Sequence, residues 1–438
     1  MLVPMIAALP PSSEASAPTL TLAGAWQVRL SPGSVKIGKA VVRIAKPVAL
    51  TISPASRLVV ADEKFDSLPP YDATAAPWTR GARLKAVITS ETTGPDLLKA
   101  DTLVFKSGPG STGGRLRVGT EIGLEPRWGT FGRMEALPAG TPVWVDYEVG
   151  LLRIDSIVVD AKGAVSVLKG QPHNATPKPP VVGAGEAVVA NVWVPGGCEA
   201  LTAENLYPII EAGYPEPVRK GAPPAAKLLP RTWAKLRAGE PVSVLAWGDS
   251  VTAGGEASSV ETRYQNVFVQ MLGRKYPKSR ITLTTAGWGG RNSDSFLQAP
   301  TDSEFNFEKA VIQRRPDLIV MEFVNDGWMN PQQVEEKYTY LEQRFKEIGA
   351  DWIIITPHYV WQDWMGSKTI RIEEDPRPYV AGVRAFCAKH KVAIADTSLR
   401  WGHLLKEGIP YITLEVNSLN HPDDRGHAMF AKALMESF

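Results

Sequence analysis

The feature that most constrains the fold is a regular alternation of short apolar runs with amphipathic stretches, which begins near residue 240 and continues to the end of the sequence. Each apolar run has the length of a buried strand, and each stretch between two runs has the length and spacing of a helix. Parallel strands require such crossover helices, which cover both faces of the sheet. We therefore predict a five-stranded parallel sheet between two helical layers. Its strands are expected at 242–247, 280–285, 317–323, 351–356 and 391–395, and its helices at 261–275, 302–314, 331–349, 376–390 and 426–437.

The preceding part of the chain has a different pattern. Between residues 20 and 213, short alternating or β-branched runs are separated by clusters of Gly, Pro and Ser. This pattern is typical of antiparallel sheets, so we predict a β-rich, sandwich-like region of one or two domains. The segment 214–239 is rich in proline and is predicted to be a linker. The α/β domain then covers residues 240–438.

Residues 1–19 carry some features of a secretory signal. Met1 to Leu9 is apolar, and Ala15-Ser16-Ala17 is similar to a signal-peptidase site, but no Lys or Arg precedes Arg29. Because a signal peptide has a positive segment before its apolar one, two interpretations stay open, a remnant of a signal or a disordered start. On the first interpretation we expect a secreted or periplasmic protein.

The composition argues against several classes of function. The formal net charge is only +2, and no block of Lys and Arg provides the basic surface that nucleic-acid binding requires. No apolar run approaches the ~20 residues of a membrane-spanning helix. The two cysteines, Cys198 and Cys387, lack the spacing of metal ligands. We therefore expect no nucleic-acid partner, no membrane segment and no metal.

Four short motifs follow the predicted strands of the α/β domain. Gly248-Asp249-Ser250 follows the first strand, and Gly287 to Gly290 follows the second. Asn325 follows the third strand, and His421 lies in the loop between the fifth strand and the last helix. Ligands of parallel sheets bind at the carboxyl ends of the strands. We therefore expect these four motifs to converge at one edge of the sheet.

The residue types in these motifs suit ester hydrolysis. A serine hydroxyl on a tight turn after a strand can act as an acyl-transfer nucleophile once a base removes its proton. Ser250 is therefore the predicted nucleophile. Imidazole titrates near neutral pH, so His421 is the predicted base and then acid. The oxyanion of the tetrahedral intermediate needs fixed donors. The backbone N–H groups of Ser250 and Gly290 and the side-chain amide of Asn325 are the predicted donors.

Taken together, these motifs resemble the signature blocks of the SGNH (GDSL-type) hydrolase superfamily over residues 240–438. The blocks supply a Ser, a Gly, an Asn and a His, which correspond here to Ser250, Gly290, Asn325 and His421. The resemblance implies a flavodoxin-like α/β/α fold. It also implies hydrolysis of carboxylic esters, often acetyl esters on carbohydrates, without a metal or other cofactor.

One position departs from the family pattern. The family places an Asp three residues before the His, and this chain has Ser418 there. A neutral hydroxyl cannot stabilise an imidazolium as a carboxylate does. Three possibilities stay open at this stage. A backbone carbonyl could orient the ring in a Ser-His dyad, Glu415 or Asp396 could supply the carboxylate, or the site could be weak or inactive.

Neighbouring residues compete for some of these parts. Gly289 is the alternative oxyanion donor to Gly290. His427 lies within the last predicted helix, which favours a structural role, and His358 after the fourth strand is expected in a surface or supporting position. Trp361 and Trp364, in the loop after the fourth strand, are candidates for stacking on a sugar ring.

The residues predict a serine esterase that acts through an acyl-serine intermediate, and the resemblance implies that it removes acyl groups, most simply acetyl, from an O-acylated carbohydrate. Its partner is a small-molecule or polysaccharide ester, and the oligomeric state stays open. A broad small-ester lipase or thioesterase is the alternative within enzymes. A catalytically weak protein that binds glycans or has a structural role is the alternative outside them.

Overall fold

A computed structural model of the chain describes residues 16–111 and 113–438. Of residues 1–19, for which a signal remnant and a disordered start both stay open, residues 1–15 lie outside the described residues. The N-terminal half is built from antiparallel strands. They are β1 Leu20–Gly24, β2 Gln27–Leu30, β3 Gly33–Ile37, β4 Ala40–Ile44, β5 Val48–Thr51, β6 Ser56–Phe65, β7 Ala82–Arg83, β8 Leu98–Lys106, β9 Ile122–Glu125, β10 Thr130–Arg133, β11 Val143–Leu151, β12 Arg153–Asp160, β13 Val165–Leu168, β14 Glu186–Val194 and β15 Leu206–Pro208.

Most buried apolar residues of these strands belong to two hydrophobic cores. In the first, the sheets β1-β2-β5 and β3-β4 share buried residues with the sheet β13-β12-β14-β15, among them Val28 and Ile157. In the second, the sheets β6-β11-β8 and β7-β10-β9 share a core that contains Phe105 and Phe131. Because β6 to β11 lie between β5 and β12 in the chain, the second unit is inserted into the first. We call residues 56–151 the inserted β unit.

The C-terminal half contains the predicted sheet. The strands β16 Val242–Gly248, β17 Ile281–Gly287, β18 Leu318–Glu322, β19 Asp351–Ile355 and β20 Ala393–Ala395 are parallel and lie in the order β17-β16-β18-β19-β20. The predicted α/β class and five-stranded parallel sheet are confirmed. The helices are α1 Ala225–Leu228, α2 Pro230–Ala238, α3 Ser250–Ala253, α4 Tyr264–Lys275, α5 Ser293–Leu297, α6 Phe307–Ala310, α7 Pro331–Glu347, α8 Pro378–His390, α9 Thr397–His403 and α10 Asp424–Met435.

Each central strand is apolar on both faces, which is why helices cover both sides of the sheet. Side chains alternate along a strand, so Val244 packs on one side with α4 and α10, while Leu245 packs on the other with α7 and α8. The same division separates Ile353 from Ile354. The result is the three-layer arrangement that the alternating pattern predicts.

Part of the segment predicted as a linker is helical. Within 214–239, α1 and α2 place Ala225, Leu229 and Leu236 in the core on the α4 side of the sheet. Pro230 occupies the first position of α2, where its fixed φ favours a helix. The prolines of this segment therefore do not all mark an extended connection, and residues 225–238 pack with the α/β domain.

Over the described part of the chain, no helix has both the length and the apolar character needed to cross a membrane.

Candidate active site

Ser250 lies on a tight turn at the carboxyl end of the central strand β16. A side chain on Gly248 would come within 2.1 Å of the Glu322 carbonyl oxygen, so only glycine allows β16 to end this close to β18. Asp249 caps the short helix α3 and accepts a hydrogen bond from Val251 N–H at 3.1 Å. This turn places Ser250, of which 8% is exposed, at the edge of the sheet.

His421 contacts Ser250 directly. The distance from Ser250 Oγ to His421 Nε2 is 2.8 Å, although 171 residues separate them in sequence. The loop of His421 is held by the Asn417 side-chain oxygen, which accepts hydrogen bonds from the N–H groups of Leu419, Asn420 and His421 at 3.0, 2.9 and 3.0 Å. The arrangement allows Ser250 to donate its proton to Nε2, which leaves the ring hydrogen on Nδ1.

Burial sets the protonation of the imidazole. The loss of hydration lowers the pKa of His421 below its usual value, while the charges of Glu91 and Glu256 oppose this shift. The ring is therefore neutral at neutral pH, which is the state in which a general base accepts a proton.

The far side of the ring faces two carboxylates. Glu91 Oε2 lies 3.0 Å from His421 Nδ1. Among the described residues Nδ1 has no hydrogen-bond partner, and its contact with Glu91 becomes an ion pair when the ring is charged. Glu91, Glu256 and His421 each offer one ligand atom, and these atoms lie within 4.8 Å of one another. The three side chains could therefore also hold a divalent cation.

Neither carboxylate suggested by the sequence reaches His421. Glu415 is fully buried, its nearer oxygen lies 3.7 Å from His358 Nε2, and burial raises its pKa well above the usual value. Asp396 instead accepts hydrogen bonds from Thr356 Oγ1 at 2.9 Å and from Arg384 Nε at 2.8 Å. Of the three possibilities left open by the sequence, the one in which Glu415 or Asp396 supplies the carboxylate is therefore wrong.

Sequence reasoning missed Glu91. It lies in the inserted β unit, in a loop between β7 and β8, and no local spacing connects it to the motifs of the α/β domain. Ser418, at the position where the family has its Asp, has a φ of 59° and lines a cavity between the two halves of the chain.

Asn325 is held beside the nucleophile turn. It lies in a short 3-10 turn after β18, and its backbone N–H donates to Asp249 Oδ2 at 2.9 Å. Its side-chain amide donates to the Arg291 carbonyl at 3.0 Å. Asp249 thus connects the turn of Ser250 to the turn of Asn325, and burial raises its pKa to about 7.

The glycine-rich loop after β17 lies against the same turn. Trp288 N–H donates to the Gly248 carbonyl at 3.1 Å. A side chain on Gly289 would lie 4.0 Å from Ser250 Cβ, whereas no atom lies within 4 Å of the corresponding point on Gly290, whose φ is +68°. Gly289 and Gly290 therefore both stay candidates for the second oxyanion donor.

The two competing histidines are buried supports. His427 Nδ1 accepts a hydrogen bond from Tyr264 N–H at 3.2 Å, and its Nε2 lies 3.3 Å from the Gly255 carbonyl. His358 Nε2 lies 2.9 Å from the Asn420 carbonyl, and its side chain is wholly buried rather than at the surface. Both histidines stabilise the loops around Ser250 and His421 and are not exposed to substrate.

A cavity of about 650 Å³ lies between the two halves of the chain, next to the His421 loop. Its walls include Trp193, Trp361, Arg127 and Ser418. Trp361 also packs edge-on against Trp128 of the inserted β unit, with 5.2 Å between ring centroids. Trp361 therefore serves the contact between the halves as well as the wall of the cavity.

Residues 246–429 match the model of the GDSL-like Lipase/Acylhydrolase family. This segment contains Ser250, Gly290, Asn325 and His421. No curated protein matches the chain.

Several solved structures are similar to the chain. One is a two-domain esterase active on acetylated mannans, 17% identical, with 47% of this chain and 51% of that chain covered and a TM-score of 0.38. Another is a mutant of an acetyl-xylooligosaccharide esterase from Geobacillus Stearmophilus, 22% identical, with 45% of this chain and 93% of that chain covered and a TM-score of 0.36. A third is a member of the lipolytic protein G-D-S-L family from Veillonella parvula, 15% identical, with 45% of this chain and 97% of that chain covered and a TM-score of 0.32. The match to the two-domain esterase covers only about half of that protein's length.

Proposed function

Because residues 246–429 match the model of the GDSL-like Lipase/Acylhydrolase family, we propose that the chain is a carboxylic ester hydrolase with Ser250 as nucleophile and His421 as general base. The observation that carries this proposal is the 2.8 Å contact between Ser250 Oγ and His421 Nε2 at the carboxyl edge of the sheet. The nucleophile and its base are within hydrogen-bond reach of each other, as acyl transfer requires.

In the first half of the reaction, Ser250 Oγ bonds to the acyl carbon while its proton passes to His421 Nε2. The carbonyl oxygen becomes an oxyanion, for which the N–H groups of Ser250 and Gly290 and the amide of Asn325 are the proposed donors. The bond between the acyl carbon and the alcohol oxygen then breaks. The leaving alcohol takes the proton from His421 Nε2, and an acyl-Ser250 ester remains.

In the second half, water replaces the alcohol. His421 Nε2 accepts a proton from the water as its oxygen bonds to the acyl carbon. The bond from that carbon to Ser250 Oγ then breaks, and Oγ recovers the proton from Nε2. The products are a carboxylic acid and the free enzyme, so atoms and protons balance without a metal or a redox cofactor.

We propose an O-acetylated carbohydrate as the substrate. The cavity beside the His421 loop supports this proposal because it combines the indole rings of Trp193 and Trp361 with polar groups such as Arg127 and Asn174. A sugar ring has an apolar face that stacks on aromatic side chains and a rim of hydroxyls that binds polar ones.

The nucleophile is tested by a fluorophosphonate probe and by hydrolysis of p-nitrophenyl acetate, with a longer acyl chain in parallel. The variants are Ser250→Ala, His421→Ala and, as a matched control, Ser258→Ala, which removes an exposed serine from the loop after α3. We expect wild type and Ser258→Ala to be labelled and active. Ser250→Ala should lose labelling, and both catalytic variants should lose about 10⁴-fold or more in kcat.

The substrate is tested by acetate release from acetylated and chemically deacetylated polysaccharides, with p-nitrophenyl esters of increasing chain length for comparison. Release from the acetylated polymer together with a preference for acetate supports the carbohydrate esterase. A preference for long acyl chains with no release from the polymer contradicts it. A wild type that neither reacts with the probe nor hydrolyses any ester contradicts the enzymatic function as a whole.

A further inference from the structure

We propose that Glu91, supplied by the inserted β unit, is the carboxylate that positions His421 and compensates its charge during catalysis, in place of the Asp that the α/β domain lacks. The proposal rests on the proposed esterase function. It makes Glu91 a positioning residue, because it touches the base and not the substrate.

The backbone of Glu91 is held firmly. Ile88 and Thr93 pair across the base of its loop, which leaves Ser90 and Glu91 at the tip. Thr93 Oγ1 donates to the Trp128 carbonyl at 2.5 Å, which ties the loop to the inserted β unit. The loop is therefore a tight turn with a fixed base.

The same loop is attached to the loop of His421 in the α/β domain. Thr92 Oγ1 donates to the Asn417 carbonyl, and Asn417 is the residue whose side chain holds the backbone of His421. The side-chain amide of Asn417 also lies 3.5 Å from Glu91 Oε2. These contacts fix the loop of Glu91 relative to the imidazole, although 58% of the Glu91 side chain is exposed.

The charge requirement follows from the reaction. When Ser250 gives its proton to Nε2, the ring becomes an imidazolium with a hydrogen on each nitrogen, and a carboxylate at Nδ1 stabilises that charge. Glu91 Oε2 at 3.0 Å from Nδ1 occupies this place. The protons that move in the proposed steps are those between Ser250, His421, water and the alcohol.

The groups that face His421 are Glu91 and Glu256, which favour the charged ring, and His358, whose charge would oppose it. Glu256 is the rival carboxylate. It comes from the loop after α3, and one of its oxygens accepts a hydrogen bond from Ser90. Since Glu91 holds the position closest to Nδ1, we assign the larger effect to Glu91 and the smaller one to Glu256.

The first test measures the titration of the His421 imidazole in the absence of substrate. Nuclear magnetic resonance of labelled histidine side chains follows the titration of His421 in wild type, Glu91→Gln, Glu91→Asp and Glu256→Gln, with His421→Ala to assign the signal. We expect Glu91→Gln to move the titration to lower pH by about one unit, because an opposite charge near the ring is lost. Glu91→Asp should keep most of the wild-type value, and Glu256→Gln should give a smaller shift.

The second test measures steady-state hydrolysis of p-nitrophenyl acetate against pH. We expect Glu91→Gln to lower kcat by about 10- to 100-fold, less than the loss for a buried triad carboxylate because Glu91 is largely exposed. KM should be unchanged, and the acidic limb of the pH profile should move to lower pH. Glu91→Asp should recover part of kcat. Glu135→Gln, an exposed carboxylate elsewhere in the inserted β unit, is the matched control and should behave as wild type.

Two results would overturn the proposal. One is a Glu91→Gln variant whose His421 titration and kcat equal those of wild type. The other is a larger effect from Glu256→Gln than from Glu91→Gln. A wild-type protein that hydrolyses no ester would contradict the proposed function. The titration needs no substrate, so it would still show whether Glu91 pairs with His421.

Discussion

Glu91 Oε2 and His421 Nδ1 lie 3.0 Å apart, and they belong to different halves of the chain. The α/β domain by itself presents Ser250 and His421 as a pair, and the third group comes from the inserted β unit. Other contacts hold the same interface together. Arg127 of the inserted β unit pairs with Asp363 at 3.4 Å, and Trp78 packs against Trp361 and Trp364. The β-rich half is therefore a structural part of the candidate active site.

The pH dependence of activity should follow the buried imidazole. Burial lowers the pKa of His421, so the ring stays neutral and able to accept a proton below pH 6.5, the ordinary value for histidine. We expect the acidic limb of kcat/KM for p-nitrophenyl acetate to have its midpoint below pH 6.5. A midpoint above 6.5 would mean that the carboxylates near the ring outweigh its loss of hydration.

Asn325 should contribute through its side chain. Asn325→Ala removes the amide while the backbone N–H keeps its bond to Asp249. We expect kcat to fall by about 100- to 1000-fold, as for the loss of one oxyanion donor, with little change in KM. Thermal unfolding should be close to wild type, because the only hydrogen bond lost is the one to the Arg291 carbonyl. A loss confined to KM would contradict the assignment.

Gly290 should be required for its backbone conformation. Its φ of +68° suits glycine and is tolerated by asparagine, whereas a β-branched residue is strained there. We expect Gly290→Asn to keep activity near the wild-type level and Gly290→Val to lose about tenfold or more in kcat/KM, since that strain costs roughly 1–2 kcal/mol. Equal activity of the two variants would instead favour Gly289 as the donor.

Stability should fall in mild acid because burial opposes the protonation of two histidines in the folded state. Burial lowers the pKa of His427 to about 4 and that of His358 to about 3. Below pH 6.5 the unfolded chain binds protons that the folded chain does not, so the free energy of unfolding decreases by up to about 1.4 kcal/mol per pH unit for each histidine.

The raised pKa of the buried Asp249 carboxyl has the opposite effect on stability. Between about pH 4 and 7 the folded chain binds a proton that the unfolded chain does not, so the free energy of unfolding increases as the pH falls. A difference measurement therefore isolates the histidine effect. Urea unfolding of wild type and His427→Gln between pH 7 and 4.5 should show a weaker acid dependence for the variant. Identical slopes for the two proteins would show that His427 titrates normally in the folded state.

Chelation should leave activity unchanged, although Glu91, Glu256 and His421 could hold a divalent cation. The proposed steps need only protein groups and water, so we expect the same kcat before and after exhaustive treatment with EDTA. A loss that Zn²⁺ restores would show that this cluster binds a metal that the reaction uses.

Local sequence patterns predicted much of the α/β domain. The period of the apolar residues gave the five parallel strands, and the position of each motif after a strand predicted that Ser250 and His421 would meet. In the structure they lie 2.8 Å apart. Such features can be predicted because the carboxyl ends of parallel strands lie at one edge of the sheet whatever the loops contain.

What the sequence by itself determined was thus the sheet, most of its covering helices and the edge at which the motifs gather. Of the predicted helix 302–314, only Phe307–Ala310 is α-helical, followed by a 3-10 turn. Only the tertiary structure decided which carboxylate faces His421, how one β unit is inserted into the other, and where the cavity between the halves lies. The reason is physical. Glu91 is at the tip of a surface loop with no periodic pattern, and its position depends on how the inserted β unit docks. Docking is set by packing such as that of Trp128 on Trp361, which no local spacing encodes.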